Sequence, residues 1–188
     1  MKKIWCYVRP AFLSILVFTV ICGIIYPLAI TGIGQLAFHD KVNGSILTKT
    51  AEDGTSTKYG SKLIGQKFTK PEYLIGRPQE VSNLSPTSEE LKQQIEERVT
   101  WWREFDPNNT SEVPEELVTA SASGVDPNIS PEAALYQVER ISKARNISKE
   151  DVKKIIEQCT TSRFVGVFGE PTVNVLMVNQ ELDTLSNK

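Results

Sequence analysis

PAFLSILVFTVICGIIYPLAITGIGQLAF, residues 10–38, is a run of twenty-nine residues without a charge, beginning almost at the N-terminus. About twenty helical residues, rising about 1.5 Å each, cover a hydrocarbon core of about 30 Å, so the run spans a bilayer with length to spare. Pro27 predicts a kink, and Trp5, Tyr7 and Tyr26 are placed to sit near the interfaces, where an aromatic ring satisfies an apolar face and a polar edge. One helix therefore anchors everything that follows.

Charge decides which way it points. Lys2, Lys3 and Arg9 precede the run with no acidic residue beside them, so the N-terminus stays in the cytoplasm and the rest crosses. The expected organisation is a cytoplasmic N-terminus at 1–10, a transmembrane anchor with its interfacial exit at 11–38 and an extracytoplasmic domain at 39–188. A cleaved signal peptide is the rival reading, but its apolar core is shorter and ends at a small-residue cleavage site. Cys22 faintly resembles a lipoprotein processing site, yet bulky Ile21 stands where a small residue is required.

After the span come 150 residues, the size of one ordinary domain. They hold 18 basic and 23 acidic residues, a formal charge of −5 that disfavours nucleic acid as a partner. Of three cysteines only Cys159 lies there, so the domain has no internal disulfide and is held by packing.

From His39 to Arg77, short apolar pieces alternate with Asn, Gly and Pro, a pattern of short strands and loops. SEELKQQIEERVTWWREF then carries Leu91, Ile95, Val99 and Trp102 at helical spacing, with Ser88 or Thr87 to cap it and two glutamates in the first turn. Adjacent Trp101 and Trp102 cannot share a face, so one is expected inside and the other near the surface. LVTASASGVDPNISP reads as loop or short strand. Ser130-Pro131-Glu132 opens a helix expected to reach Arg145, and Ser148 with Asp151 opens another whose inner face is Val152, Ile155, Ile156 and Cys159. The valine-rich PTVNVLMVNQEL predicts a buried strand. Together these segments give an α+β domain with a small mixed sheet and about three to four principal helices.

Catalytic signatures are missing from this pattern. The chain has one histidine, one cysteine beyond the anchor, and no HExxH, GxSxG, CxxC or Walker-type loop. Gly32-Ile33-Gly34-Gln35-Leu36-Ala37 fits a relaxed dinucleotide fingerprint but lies inside the apolar run, where small residues such as Thr19 and Gly23 serve helix packing instead. His39 has no partners of zinc-binding geometry in the sequence and reads as an interfacial polar residue. Ser121 and Ser123 lack an activating base and read as turn residues.

Taken in order, many short elements of the chain resemble one family: the C subunit of the Kdp-type potassium-transporting P-type ATPase. They are Arg9-Pro10, Tyr26-Pro27-Leu28, Gln35, Phe38 and Asn43-Gly44-Ser45, then Gly60-Ser61, Leu63-Ile64-Gly65-Gln66, Phe68, Arg77-Pro78 and Ser82-Asn83-Leu84. Further on come Leu117 through Gly124, Ile129-Ser130-Pro131, Ala133-Ala134, Gln137 and Arg140, and finally Gly169, Pro171, Val173 through Leu176, Asn179 and Leu182-Asp183. One departure stands out. Only Gln79-Glu80-Val81 separate Pro78 from Ser82, where family members often carry a longer loop with a glycine pair.

The resemblance implies a non-catalytic subunit of an ATP-driven potassium importer, with no cofactor of its own and with ATP as the substrate of the complex. Its implied partners are a potassium-translocating pore subunit, an ATP-hydrolysing P-type subunit, a small single-span subunit and membrane lipid. Asp40-Lys41 begins like the phosphorylated motif of P-type ATPases, but Val42 and Asn43 follow and the site would face away from cytosolic ATP. The family is described as a catalytic chaperone that raises the ATP affinity of the hydrolysing subunit. For a direct nucleotide contact the candidates are Gln137 and Arg140, one turn apart on the expected 131–145 helix; a solvated face or an interface is the alternative for that pair. Two other function classes remain open to the sequence: a stand-alone membrane-anchored binding or sensor module, and an exported enzyme with a cryptic site.

Overall fold

The computed structural model describes residues 2–50 and 56–185. It divides into two compact units, Met1–Ile46 and Leu47–Lys188. The fold is α+β, as the sequence predicts: one apolar helix long enough to cross a membrane, followed by a mixed domain with two small sheets and several helices.

In the first unit, α1 (Lys2–Val20) runs through a π-helical turn (Ile21–Ile25) into α2 (Tyr26–Ala37). Pro27 has no N–H and its ring crowds the preceding turn, so the chain widens just before it, Tyr26 N–H reaching back five residues to the Ile21 carbonyl. Ser14 is satisfied within the helix, donating to the Pro10 carbonyl at 2.7 Å. The chain then turns into α3 (His39–Val42), a short helix the sequence did not signal. A reciprocal amide pair fixes that exit. Gln35 Nε2 donates to Asn43 Oδ1 at 3.2 Å, and Asn43 Nδ2 donates to Gln35 Oε1 at 3.1 Å.

The second unit begins within β1 (Ile46–Thr50), which pairs with β2 (Ser56–Ser61) as a two-stranded sheet. A loop then leads to α4 (Glu89–Phe105), where Ser88 Oγ accepts from Leu91 N–H at 3.3 Å, the cap expected of it. Trp102 is buried and Trp101 is exposed, as their adjacency requires. Trp102 Nε1 donates to the Leu117 carbonyl at 3.1 Å, tying α4 to α5 (Glu115–Val118), a one-turn helix whose second half opens the stretch expected as loop or short strand.

The second sheet has the order β3 (Asn128–Ile129), β5 (Thr172–Asn174), β4 (Thr160–Thr161), antiparallel throughout. Ile129 and Thr160 both face Val173, which is wholly buried. Around it pack α6 (Pro131–Leu135), α7 (Val138–Arg145), α8 (Lys149–Gln158) and α9 (Val175–Leu185). Ser130 and Ser148 cap α6 and α8 as expected, and Val152, Ile155, Ile156 and Cys159 all point into the core.

Two expectations are corrected. The helix expected from 131 to 145 breaks after Leu135. Gln137 N–H bonds the Ala134 carbonyl in a tighter turn, while its own side-chain Nε2 donates to the Ala133 carbonyl that an unbroken α-helix would have used. PTVNVLMVNQEL is a strand for three residues only and then a helix. Asn174 Oδ1 accepts from Met177 N–H at 3.1 Å and starts α9, and Val175, Leu176, Val178, Asn179 and Leu182 are buried at helical spacing. Burial of that face overrides the β preference of valine, which is a weak and context-dependent bias.

Gly65 shows how closely the backbones approach. Its N–H donates to the Val125 carbonyl at 2.7 Å, and a Cβ added there would lie 2.5 Å from the Asp126 carbonyl oxygen. Gly65→Ala is expected to destabilise the domain by about 1–3 kcal/mol through overpacking against backbone, read as a lower midpoint in denaturant unfolding of the detergent-solubilised chain.

Candidate functional site

The loop Pro71-Glu72-Tyr73-Leu74-Ile75 belongs to no sheet, yet it runs through the domain with Leu74 wholly buried. Buried peptide groups need partners, and here side chains supply them. Arg140 donates to the Pro71 and Tyr73 carbonyls, Arg145 Nε to the Glu72 carbonyl at 2.6 Å. Asn179 Oδ1 accepts from Leu74 N–H at 2.8 Å while its Nδ2 donates to the Leu74 carbonyl at 2.9 Å. Gln137 repeats the pattern on the next residue, accepting from Ile75 N–H at 2.9 Å and donating to the Ile75 carbonyl at 2.8 Å. Each amide thus does for one residue what a neighbouring strand would do.

Gln137 and Arg140, the residues considered for nucleotide, are therefore brought together in this network, Arg140 Nη2 donating to Gln137 Oε1 at 2.6 Å. Neither lies on a solvated face: Gln137 is 0% and Arg140 5% exposed. Burial lowers the Arg140 guanidinium from its ordinary value to about 10, against the opposing pull of Asp106, Tyr136 and Glu72. It stays cationic at neutral pH. Its Nε, together with Asp106 Oδ2 and the Tyr136 hydroxyl, is buried without a hydrogen-bond partner among the described residues, a polar spot suited to ordered water.

At the far end of the same loop, Asp183 collects three partners. Arg145 Nη2 meets Oδ1 at 2.8 Å, and the hydroxyls of Tyr59 and Tyr73 donate to Oδ2 at 3.0 and 3.4 Å. Burial first, then the Asp183 carboxylate, push both phenols above the ordinary tyrosine value, Tyr59 the more strongly.

Beyond Ile75 the chain forms one wall of an open cleft of about 640 Å³, whose other wall is the aromatic end of α4. Trp101, 42% exposed, stacks on Phe105 with centroids 4.6 Å apart, and the Arg140 guanidinium lies 5.0 Å behind the Phe105 ring. Two arginines at this cleft are already committed, while Lys67 also lines it. Arg77 donates to the Thr119 and Ala120 carbonyls, and Arg98 to the Val118 carbonyl and Glu80. What the cleft offers is an aromatic surface of the kind that receives a protein side chain, without a nucleophile beside a base.

The other polar candidates have structural roles. Ser121 and Ser123 accept from Gly124 N–H and Val125 N–H, forming a turn. Cys159 is buried and its thiol is pushed up to about 11, chiefly by desolvation. Among the described residues no group of three or more His, Cys, Asp or Glu is arranged to hold a metal ion. Two further members of the network, Asn179 and Asp183, are visible in the sequence only as elements of the family resemblance. A polar residue interrupting an apolar helical face is the signal that would have found Asn179, had the segment been read as helix.

The same family appears when the chain is compared with known proteins. The family model described as K+-transporting ATPase, c chain, matches residues 8–184. The chain belongs to that family. A potassium-transporting ATPase KdpC subunit of Listeria monocytogenes is 53% identical over 186 residues, covering 97% of this chain and 96% of the relative. Subunits of the same name from Clostridium perfringens and Janthinobacterium sp. are 46% and 43% identical, over 94% and 93% of this chain and 96% of each relative. As a c chain of this family, the protein is a non-catalytic accessory subunit, a single-pass membrane protein with its C-terminal domain outside the cytoplasm.

Two predictions follow from the network. Asn179→Leu leaves the Leu74 N–H and carbonyl buried without partners, so unfolding stability should fall by about 2–6 kcal/mol, at about 1–3 kcal/mol for each unsatisfied group, measured by denaturant titration. Because the folded state holds the Tyr59 and Tyr73 phenols protonated, their contribution is fully present below the unfolded tyrosine value of 10.0 and declines as pH rises past it. Stability measured from pH 9 upward should therefore fall, and Tyr59→Phe should show a shallower fall from a lower starting point.

Proposed function

We propose that this chain serves ATP-driven potassium import as an accessory subunit, its anchor packing beside a pore subunit and its domain docking over that subunit's outer face. The family match from 8 to 184 carries this reading, because it takes in the span and the exported domain together. The partners proposed are the potassium-translocating pore subunit, the ATP-hydrolysing P-type subunit and a small single-span subunit. Residues 1–10 face the cytoplasm, 11–38 form the anchor and its exit, and 39–188 lie outside.

The chaperone effect is indirect in this reading. A domain across the bilayer from cytosolic ATP changes ATP affinity only by binding one conformation of the complex better than another, since a ligand shifts an equilibrium by its differential affinity alone. Gln137 and Arg140 contribute by fixing the loop that lines the cleft, and Trp101 at its rim is the first contact to test. A nucleotide reaching either polar residue would have to displace the carbonyls of Pro71, Tyr73 and Ile75. Direct nucleotide binding remains a measurable alternative. ATP bound by the purified full-length chain at cellular concentrations, and lost in Gln137→Glu, would replace the indirect mechanism.

The deciding experiment is a mild-detergent pulldown of the tagged full-length chain from its native membranes, with mass spectrometry and a potassium-stimulated ATPase assay. Copurification of a P-type ATPase and a pore subunit, with activity lost on deletion of this chain, is the expected result. Recovery of the chain alone, beside a pump active without it, would refute the accessory role and favour an independent sensor or enzyme.

A further inference from the structure

Between β4 and β5 the segment Arg163-Phe-Val-Gly-Val-Phe-Gly-Glu170 forms a hairpin that the rest of the domain leaves uncovered. Phe164 is 75%, Val165 76%, Val167 70% and Phe168 67% exposed, and a Cβ built on Gly166 or Gly169 would find nothing within 4 Å. Four large apolar side chains gathered at one projecting tip are not the scattered exposure of an ordinary surface. We propose that this tip inserts into the outer leaflet of the membrane that anchors the chain.

Three observations favour lipid over a protein groove as the occupant. First, the tip pairs part of its own backbone. Phe164 and Phe168 exchange N–H to carbonyl bonds at 2.8 and 3.0 Å, Gly166 N–H donates to the Arg163 carbonyl at 3.1 Å, and Val167 N–H donates to the Phe164 carbonyl at 3.2 Å. The cross-strand pairing at the neck occupies groups that a strand docking on a protein edge would offer, and the apex groups left over can be met by headgroups and water at shallow, interfacial depth. Second, polarity changes sharply at the neck. Arg163 Nη2 and Glu170 Oε2 pair at 2.6 Å beneath the uncharged tip, placing charge at the depth where headgroups and water begin. Third, Val165 sits at φ +53, a conformation that Asn or Gly adopts freely and a β-branched residue does not. An apolar side chain thus stands at the apex in a strained conformation, the kind of outlier from which a functional position is inferred.

The span supplies what a short loop lacks. A few apolar side chains bind a bilayer weakly, but tethering makes their insertion an intramolecular event at high effective concentration. The hairpin then acts as a second membrane contact that restricts how the domain is oriented over the bilayer. This inference rests on the domain lying outside the cytoplasm and needs no partner subunit.

To test it, the full-length chain with Cys6→Ser and Cys22→Ser receives Val167→Cys, is labelled with an environment-sensitive fluorophore and is reconstituted in phosphatidylcholine–phosphatidylglycerol vesicles. Cys159 is buried, and the parent without Val167→Cys reports any labelling there. Expected are blue-shifted emission, loss of iodide quenching and gain of quenching by lipids carrying a shallow acyl-chain nitroxide. Phe164→Ser with Phe168→Ser should reverse all three, and a label at the exposed control Ser111→Cys should stay open to iodide. A Val167 label that iodide reaches and nitroxide lipid does not would overturn the proposal. So would protection that appears only on co-reconstitution with the other pump subunits, or only as copies of this chain become dense enough to crosslink. Insertion by the chain alone, with a failed pulldown, would leave this inference standing while removing the accessory role.

Discussion

The second unit depends on how the peptide groups of Pro71–Ile75 are satisfied. A loop buried at this depth would be prohibitively costly if its polar groups went unpaired, and among the described residues no strand lies alongside to pair them. Gln137 and Arg140 from one stretch, Arg145 a turn later and Asn179 more than thirty residues on converge to fill that role. The consequence is mutual: the loop is fixed because α7 and α9 are placed, and α7 and α9 are held together because both grip the loop. Such a network is worth more complete than the sum of its parts, since removing one member strands polar groups in a medium where they find no replacement.

That arrangement gives physical content to an accessory role. A subunit that biases a machine toward one conformation must itself resist deformation, otherwise the strain of docking is absorbed locally. The loop that lines the cleft beside Trp101 is bolted from behind by Gln137 and Arg140, with the Arg140 guanidinium against the Phe105 ring. Groups that resemble a polar binding pair in the sequence thus stiffen a surface.

Much of the fold is legible where local chemistry acts alone. Ser88, Ser130 and Ser148 announce helix starts because a cap needs only the next three residues, and the face of Val152, Ile155, Ile156 and Cys159 follows from a single period. Where long-range contacts decide, the sequence misleads. PTVNVLMVNQEL is valine-rich enough for a strand, but its buried face is set by partners at Leu74 and along the sheet, and Asn174 turns the chain into a helix after three residues. Gln137 breaks its helix by using its side chain on a carbonyl that its backbone would otherwise take, a competition no propensity scale records. Of the network, Gln137 and Arg140 were singled out by resemblance; their true partners are backbone atoms more than sixty residues away in the chain, which no local pattern encodes.

The π-helical turn at Ile21–Ile25 has a rotational consequence. A π turn takes up one residue more than an α turn, so every side chain after it is set back by up to about 100° from where an unbroken α-helix would put it. The stripe of side chains that continues from α1 into α2 is therefore not straight but steps around the axis midway through the span. A single anchor helix whose stripe steps in this way presents its two halves in different directions in the bilayer plane, one within each leaflet.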